Sequence, residues 1–320
     1  MKKKILAVAV ILLLLGFLLL NPEEALKGSQ SGLLLWAQSV LPVLLPFFIL
    51  SRLLISLDGL TPLTRILSPV TRRLWGLSPM GSYALLLGFL CGYPMGAKVT
   101  RDLILDQKIS AQEGQYLLLF CNNVSPAFLL GFCMNEHLKA PQLIPLTLGL
   151  VYGLPLLLAL FWRRGRRFEP VIQTNFFKGK QKQASGFQIS FKIVDACIMD
   201  GLESILKLGC YILLFSIMAR FAALLPWPNS LYCGIAIGAL EITNGVSAVC
   251  QLNLPLGIRY LTVLGFVIFG GCSGIAQTDS MLSGSGLSIK SYVKAKLITA
   301  LLAVFLAFLL TLLRCRLLPV

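Results

Sequence analysis

Residues Gly88 to Lys98 read GFLCGYPMGAK and close a charge-free run from Leu74 to Ala97 that is long enough to cross a bilayer. Three glycines and a proline stand where a spanning helix should be firmest. Both residue types release backbone polar groups that hydrocarbon cannot satisfy, so such backbone survives at membrane depth only where it lines a cavity or is buried in protein. The stretch therefore reads as a re-entrant turn.

The whole chain supports a membrane setting. Of its 320 residues 57% are hydrophobic and 13% charged, with a mean hydropathy of +0.82, more apolar material than one soluble core could bury. Apolar runs at 5–20, 33–54, 74–97, 114–135, 140–162, 204–225, 230–250, 258–278 and 297–313 approach or reach the roughly 20 residues that a spanning helix needs. An all-α polytopic membrane protein follows. The first run, behind Lys2, Lys3 and Lys4, reads as a retained anchor, since no small-x-small cleavage site precedes Asn21-Pro22. Nine cysteines include no CxxC pair and no spacing suited to zinc, so no metal or resident cofactor is expected.

The net charge of +15 does not point to nucleic acid, because the basic residues sit at the ends of apolar runs. They read as topology signals. The densest cluster, RRGRRFEPVIQTNFFKGKQK from Arg163 to Lys182, is expected to be cytoplasmic by the positive-inside rule. With Lys2 to Lys4 inside, Asn21 to Gly32 outside and Arg65, Arg72 and Arg73 inside, full crossings by every later run would leave that cluster outside. One segment before Trp162 must turn back, and GFLCGYPMGAK is the candidate.

The halves share a pattern. PFFILSRLL from Pro46 resembles LFSIMARFA from Leu214, GFLCGYPMG resembles GALEITNGV from Gly238, and FCNNVSPAFLLG from Phe120 resembles FGGCSGIAQTD from Phe269. Gly88 to Asn122 and Gly238 to Cys272 are each 34 residues apart. The expected organisation is an anchor at 1–30, a first repeat at 31–162, a basic linker at 163–193 and a second, inverted repeat at 194–320, with a second re-entrant turn at 230–250.

No nucleophile-base set is visible, so an enzyme is not expected; GSG at Gly284 to Gly286 reads as a flexible turn. Polar groups inside apolar runs are costly, and they mark the expected substrate site: Gly92, Tyr93, Pro94 and Lys98; Asn122, Asn123 and Ser125; Glu241, Thr243 and Asn244; Ser273 and Gln277, with Thr278 beside them. Glu241 reads as proton acceptor, cation ligand or partner of a substrate donor, against a structural pair with Arg220 or Arg259. Lys98 either faces the cavity or snorkels toward headgroups. Arg52 and Arg220 are helix-end anchors or a matched pair that binds an anion. Asp200, Glu203 and Lys207 form one polar stripe, with Glu203 spaced to pair with Lys207.

GFLCGYPMGAKVTRDL, ISAQEGQYLLLFCNNVSP and GALEITNG together resemble the YlbJ-type sporulation integral membrane proteins, the stage V sporulation protein V group, within the nucleoside-recognition or Gate domain proteins. That group is similar to concentrative nucleoside transporters, so the resemblance implies two inverted Gate-like repeats with re-entrant or broken helices. It places the Gate motifs on Gly92, Pro94, Gly96 and Lys98, on Asn122, Asn123, Ser125 and Pro126, and on Glu241, Asn244 and Gly245. It implies movement of dipicolinic acid, a small aromatic dicarboxylate, across the outer forespore membrane. The partners expected are a small-molecule substrate and the lipid bilayer, with H+ or Na+ as a possible coupling ion and further copies of the chain as an open possibility. The alternatives are cation-coupled transport of a nucleoside or another small metabolite, and a non-transporting gate or scaffold subunit.

Overall fold

The computed structural model describes residues 2–57, 61–163 and 191–314, and these are helical with no strand among them. The linker cluster after Arg163 and the basic residue Arg316 lie outside the described residues. The first half comprises α1 (Lys2–Leu20), α2 (Pro22–Leu35), α3 (Leu41–Ser56), α4 (Thr61–Trp75), α5 (Pro79–Cys91), α6 (Met95–Leu105), α7 (Ala111–Leu118), α8 (Ile144–Leu148) and α9 (Leu154–Trp162). The second comprises α10 (Phe191–Ala223), α11 (Ser230–Leu240), α12 (Ile242–Cys250), α13 (Leu256–Phe269), α14 (Gly271–Met281) and α15 (Ile289–Arg314).

A π-helical turn at Trp36–Val40 joins α2 and α3 into one 35-residue helix from Pro22 to Ser56. Asn21 to Gly32, read from sequence as an outside connection, is thus helical from Pro22. A proline at the first helical position costs no hydrogen bond, and Glu23 and Glu24 in the first turn suit the positive end of the helix dipole. This helix runs along α10 through small residues. A methyl group on Gly32 would fall 2.9 Å from Leu213 Cα, while Gly209 leaves room for the Trp36 ring, whose Nε1 donates to Ile205 O at 2.9 Å. Close backbone approach is what packs helices in lipid, where apolar surface gains little by leaving its surroundings.

Among the described residues five helical spans are long and apolar enough to cross a membrane: Pro22–Ser56, Pro141–Trp162, Phe191–Ala223, Leu256–Met281 and Ile289–Leu310. Helix α4 is bent by 95° from α5 and carries Ile66, Val70 and Leu74, all exposed, along one stripe, with Arg65, Arg72 and Arg73 exposed beside them. That pattern suits a helix lying in the membrane surface.

The GFLCGYPMGAK stretch folds as a hairpin of α5 and α6. The arms have 13 and 11 residues, about 20 and 16 Å at 1.5 Å per residue, short of the roughly 30 Å hydrocarbon core. Both outer ends lie at the same end of the molecule. Ser78, which caps α5, donates its N–H to Glu113 Oε1 at 2.6 Å, and Asp106 after α6 receives Arg52 at 2.7 Å, while Arg163 Nη1 reaches Arg73 O and Leu74 O nearby. Glycines let the arms touch: a methyl group on Gly88 would lie 3.1 Å from Gly96 Cα and 2.1 Å from Cys121 O. Helices α11 and α12 form a second hairpin, with arms of 11 and 9 residues, in which a methyl group on Gly245 would lie 2.0 Å from Gly238 Cα.

The buried side chains fall into two main clusters. One surrounds Phe48, Tyr83, Met95, Tyr116 and Ile205; the other surrounds Val124, Leu129, Val246, Tyr260 and Ala303. The chain passes from the first to the second at Cys91–Tyr93 and again at Cys121–Val124, so the helix breaks lie on the seam.

Candidate functional site

Four interruptions meet on that seam. At the tip of the first hairpin Gly92 has φ +80°, a conformation that favours glycine, and any Cβ there would lie 2.4 Å from Ser125 N. The tip is held to the second interruption by Tyr93 N–H, which donates to Asn123 O at 2.6 Å. After α7 the chain is non-helical until Pro126, because Ser125 and Pro126 start a new helical run: Ser125 Oγ accepts from Phe128 N at 3.2 Å, and the run continues as a π-helix over Phe128–His137. The freed groups are satisfied by protein, as a membrane interior demands. Tyr152 OH donates to Val124 O at 2.8 Å, and Asn123 Nδ2 donates to Phe120 O at 2.8 Å.

In the second half Glu241 is extended at the tip of the α11–α12 hairpin and caps α12, accepting from Thr243 N at 3.1 Å and Asn244 N at 2.8 Å. It pairs with neither expected arginine. Arg220 is bound to Glu24 at 2.6 Å, and Arg259 Nη1 donates to Cys250 O at 3.2 Å. The fourth interruption is Gly270, with φ +86°, between α13 and α14. The Tyr93 ring from the first half covers it, close enough that a methyl group on Gly274 would sit 3.1 Å from Tyr93 Cε2.

A cavity of about 430 Å³ opens where the first three of these breaks converge, with Gln277 of α14 in its wall, within the size range of small-molecule sites. Of the residues singled out from sequence, Tyr93, Ser125, Glu241, Thr243 and Gln277 line it, and apolar walls come from Leu44, Phe128, Phe132 and Leu208. Its two carboxylate-bearing lining residues are Glu241 and Glu136; no lysine, arginine or histidine lines it among the described residues.

The other expected residues stand around this cavity. Gly92 and Pro94 shape the tip, and Ser273 accepts from Gln277 Nε2 at 2.8 Å. The Asn122 carboxamide accepts from Ala97 N at 3.3 Å and donates to Thr278 Oγ1 at 3.0 Å and Tyr292 OH at 3.2 Å, so it ties α6, α14 and α15 to the unwound chain. Asn123 Oδ1 accepts from Lys296 Nζ at 2.8 Å. Asn244 turns away from the cavity, toward Ser216 Oγ at 3.4 Å, and with Lys27 and Arg220 it lines a second, polar cavity of about 310 Å³.

Lys98 neither lines the cavity nor snorkels. It is buried on α6, 2.6 Å from Asp200 and 3.4 Å from Asp102, and this pairing offsets the cost of removing an ammonium from water. Arg52 is likewise engaged, with Asp106 at 2.7 Å. The Glu203–Lys207 pair forms on α10 at 2.5 Å. Sequence reading did not find Asp102 or Tyr292, and it took Lys296 for a topology charge. Lys296 begins an apolar run as any anchoring lysine would, and Asp200 lies 102 residues from its partner, so neither carries a local signal.

Over 321 aligned residues the chain is 27% identical to the sporulation integral membrane protein YlbJ of Bacillus subtilis (strain 168), a match that covers 91% of this chain and 78% of that protein. The chain resembles YlbJ-type sporulation membrane proteins over nearly its whole length. The YlbJ match therefore takes in both hairpins, both broken spans and the cavity between them. No protein-family model matches the chain, and no solved structure matches it.

Proposed function

We propose that this protein carries a small polar or anionic metabolite across a membrane during sporulation, with dipicolinic acid across the outer forespore membrane as the first cargo to test. The observation that carries the reading is the cavity of about 430 Å³ lined by three helix interruptions, at Tyr93, Ser125 and Glu241, with Gln277 of α14 completing its wall. Interrupted helices placed around a midplane site are the architecture of many secondary transporters. The order of elements supports the same reading. A long helix (Pro22–Ser56), a hairpin (α5–α6), an interrupted segment (α7 to His137) and a closing span (Pro141–Trp162) are followed by α10, the α11–α12 hairpin, α13–α14 and α15 in the same sequence. Such an order fits two inverted Gate-like repeats. The YlbJ relative's name supports sporulation as the setting.

A second reading rests on charge. With Glu241 in its wall and no basic residue lining it among the described residues, the cavity favours a coupling cation with a neutral solute such as a nucleoside. Uptake of labelled dipicolinate and labelled uridine into proteoliposomes, under proton and Na+ gradients, separates the two. Dipicolinate uptake that saturates supports the first reading, and uridine uptake abolished by Glu241→Gln supports the second. Saturable uptake of neither solute under any gradient would overturn transport by this chain alone.

A further inference from the structure

Among the described residues two lysines inside apolar surroundings are buried, Lys98 and Lys296, and their surroundings differ. Lys98 is 1% exposed and meets two carboxylates, Asp200 at 2.6 Å and Asp102 at 3.4 Å. Lys296, on α15, is 4% exposed and has no carboxylate within ion-pair distance among the described residues. Its ammonium donates to one acceptor, Asn123 Oδ1 at 2.8 Å, and lies 5.7 Å from the centre of the Tyr292 ring. An ammonium has three donors, and an amide oxygen and an aromatic face do not balance a desolvated positive charge. The fold supplies counter-ions for a structural lysine elsewhere, so a buried one left without any is a functional group in waiting.

Its position gives the function. Asn123 belongs to the unwound stretch, its carbonyl holds the Tyr93 N–H at the hairpin tip, and Ser125, two residues on, lines the cavity. Lys296 thus stands one layer behind the cavity wall, at the point where both interruptions of the first half are joined. Beside its Asn123 partner the neighbouring polar groups are already engaged with one another: Asn122 Nδ2 donates to the Thr278 hydroxyl at 3.0 Å and to the Tyr292 hydroxyl at 3.2 Å, and the Thr278 hydroxyl donates to Gly274 O at 2.7 Å, which leaves the Lys296 ammonium as the group with donors to spare. The cavity itself offers no cation among the described residues, and Lys296 adjoins its wall through Asn123.

The geometry points to Lys296 as the group that recognises the negative charge of the cargo, a carboxylate being the chemistry that suits an ammonium with donors to spare. This assignment deepens the transport reading and rests on it. Binding of dipicolinate, picolinate, benzoate and uridine to the detergent-purified full chain is measured for wild type, Lys296→Met and Lys296→Arg, together with melting temperature and proteoliposome uptake.

The expected result is carboxylate binding by wild type, at least about tenfold weaker in Lys296→Met and largely kept in Lys296→Arg. Without ligand, Lys296→Met should melt no lower than wild type, since it removes a buried amine that has no carboxylate partner among the described residues; Lys98→Met, which strands Asp200 and leaves Asp102 with Arg101 alone, should melt lower. Lys296→Met that unfolds or melts clearly lower overturns the assignment in favour of a structural lysine. So does binding of carboxylates by Lys296→Met at wild-type strength, or their failure to bind wild type at all. Wild type that binds dipicolinate but shows no uptake leaves Lys296 assigned and overturns transport. Uptake unchanged in Lys296→Met does the reverse.

Discussion

At the scale of single residues, the polar groups of this chain divide by what satisfies them. Glu241 spends both carboxylate oxygens on the first turn of α12 and still faces the cavity. Glu241→Gln keeps one capping oxygen and should cost the fold no more than about 1 kcal/mol, read from thermal melting in detergent. Lys98 is the opposite case. Lys98→Ala leaves Asp200 without its partner and Asp102, 3% exposed, with Arg101 alone at 3.0 Å, and should lower stability by about 3 kcal/mol in the same assay. Restoration toward wild type in the Lys98→Met, Asp102→Asn, Asp200→Asn triple variant would confirm that the unpaired charges, rather than the lost stem of the lysine, carry the cost. The types and depths of these residues were legible in the sequence as polar groups inside apolar runs. Their partners were not, because Lys98 and Asp200 meet across 102 positions and Lys296 meets Asn123 across 173.

At the scale of elements, the two hairpins depend on glycine at the contact between their arms. Gly245→Ala would drive a methyl group to 2.0 Å from Gly238 Cα, and Gly88→Ala would drive one to 2.1 Å from Cys121 O. Backbone cannot give way as the end of a flexible side chain can. Each substitution should cost about 3 kcal/mol or more, and Gly88→Ala should also disturb the unwound stretch that carries Asn122. Gly149→Ala, with open space around its new methyl group, should change stability by less than about 1 kcal/mol. Equal losses at all three positions would mean that the arms do not touch in the membrane. The first hairpin was readable from GFLCGYPMGAK because glycine and proline fall inside a charge-free run. The second turn carries neither residue at its apex, Glu241, and was reached only by comparing the halves.

At the scale of the whole molecule, the hairpins fix which loops share a side. Arg52, Arg73, Asp106 and Arg163 gather at one end of the bundle, while Glu24 and Arg220 pair elsewhere, at the first turn of α2 and the last turn of α10. In a background without native cysteines, Arg73→Cys and Gln107→Cys should react with an impermeant maleimide from the same side, and Lys139→Cys, Asn229→Cys and Asn253→Cys from the other. Labelling of Arg73→Cys and Gln107→Cys from opposite sides would mean that α5 or α6 crosses fully.

The sequence by itself determined that this chain is helical and membrane-embedded, because hydropathy is additive along the chain and a bilayer leaves helices as the form that satisfies every backbone group of an apolar run. It also located the interruptions, since glycine, proline and buried polar residues act locally. Only the tertiary structure decided that three of the interruptions share one cavity, that Lys98 meets two carboxylates while Lys296 meets none among the described residues, and that Glu241 faces the cavity instead of pairing with an arginine. Those outcomes depend on which atoms far apart in sequence arrive within hydrogen-bond distance, and packing alone sets that.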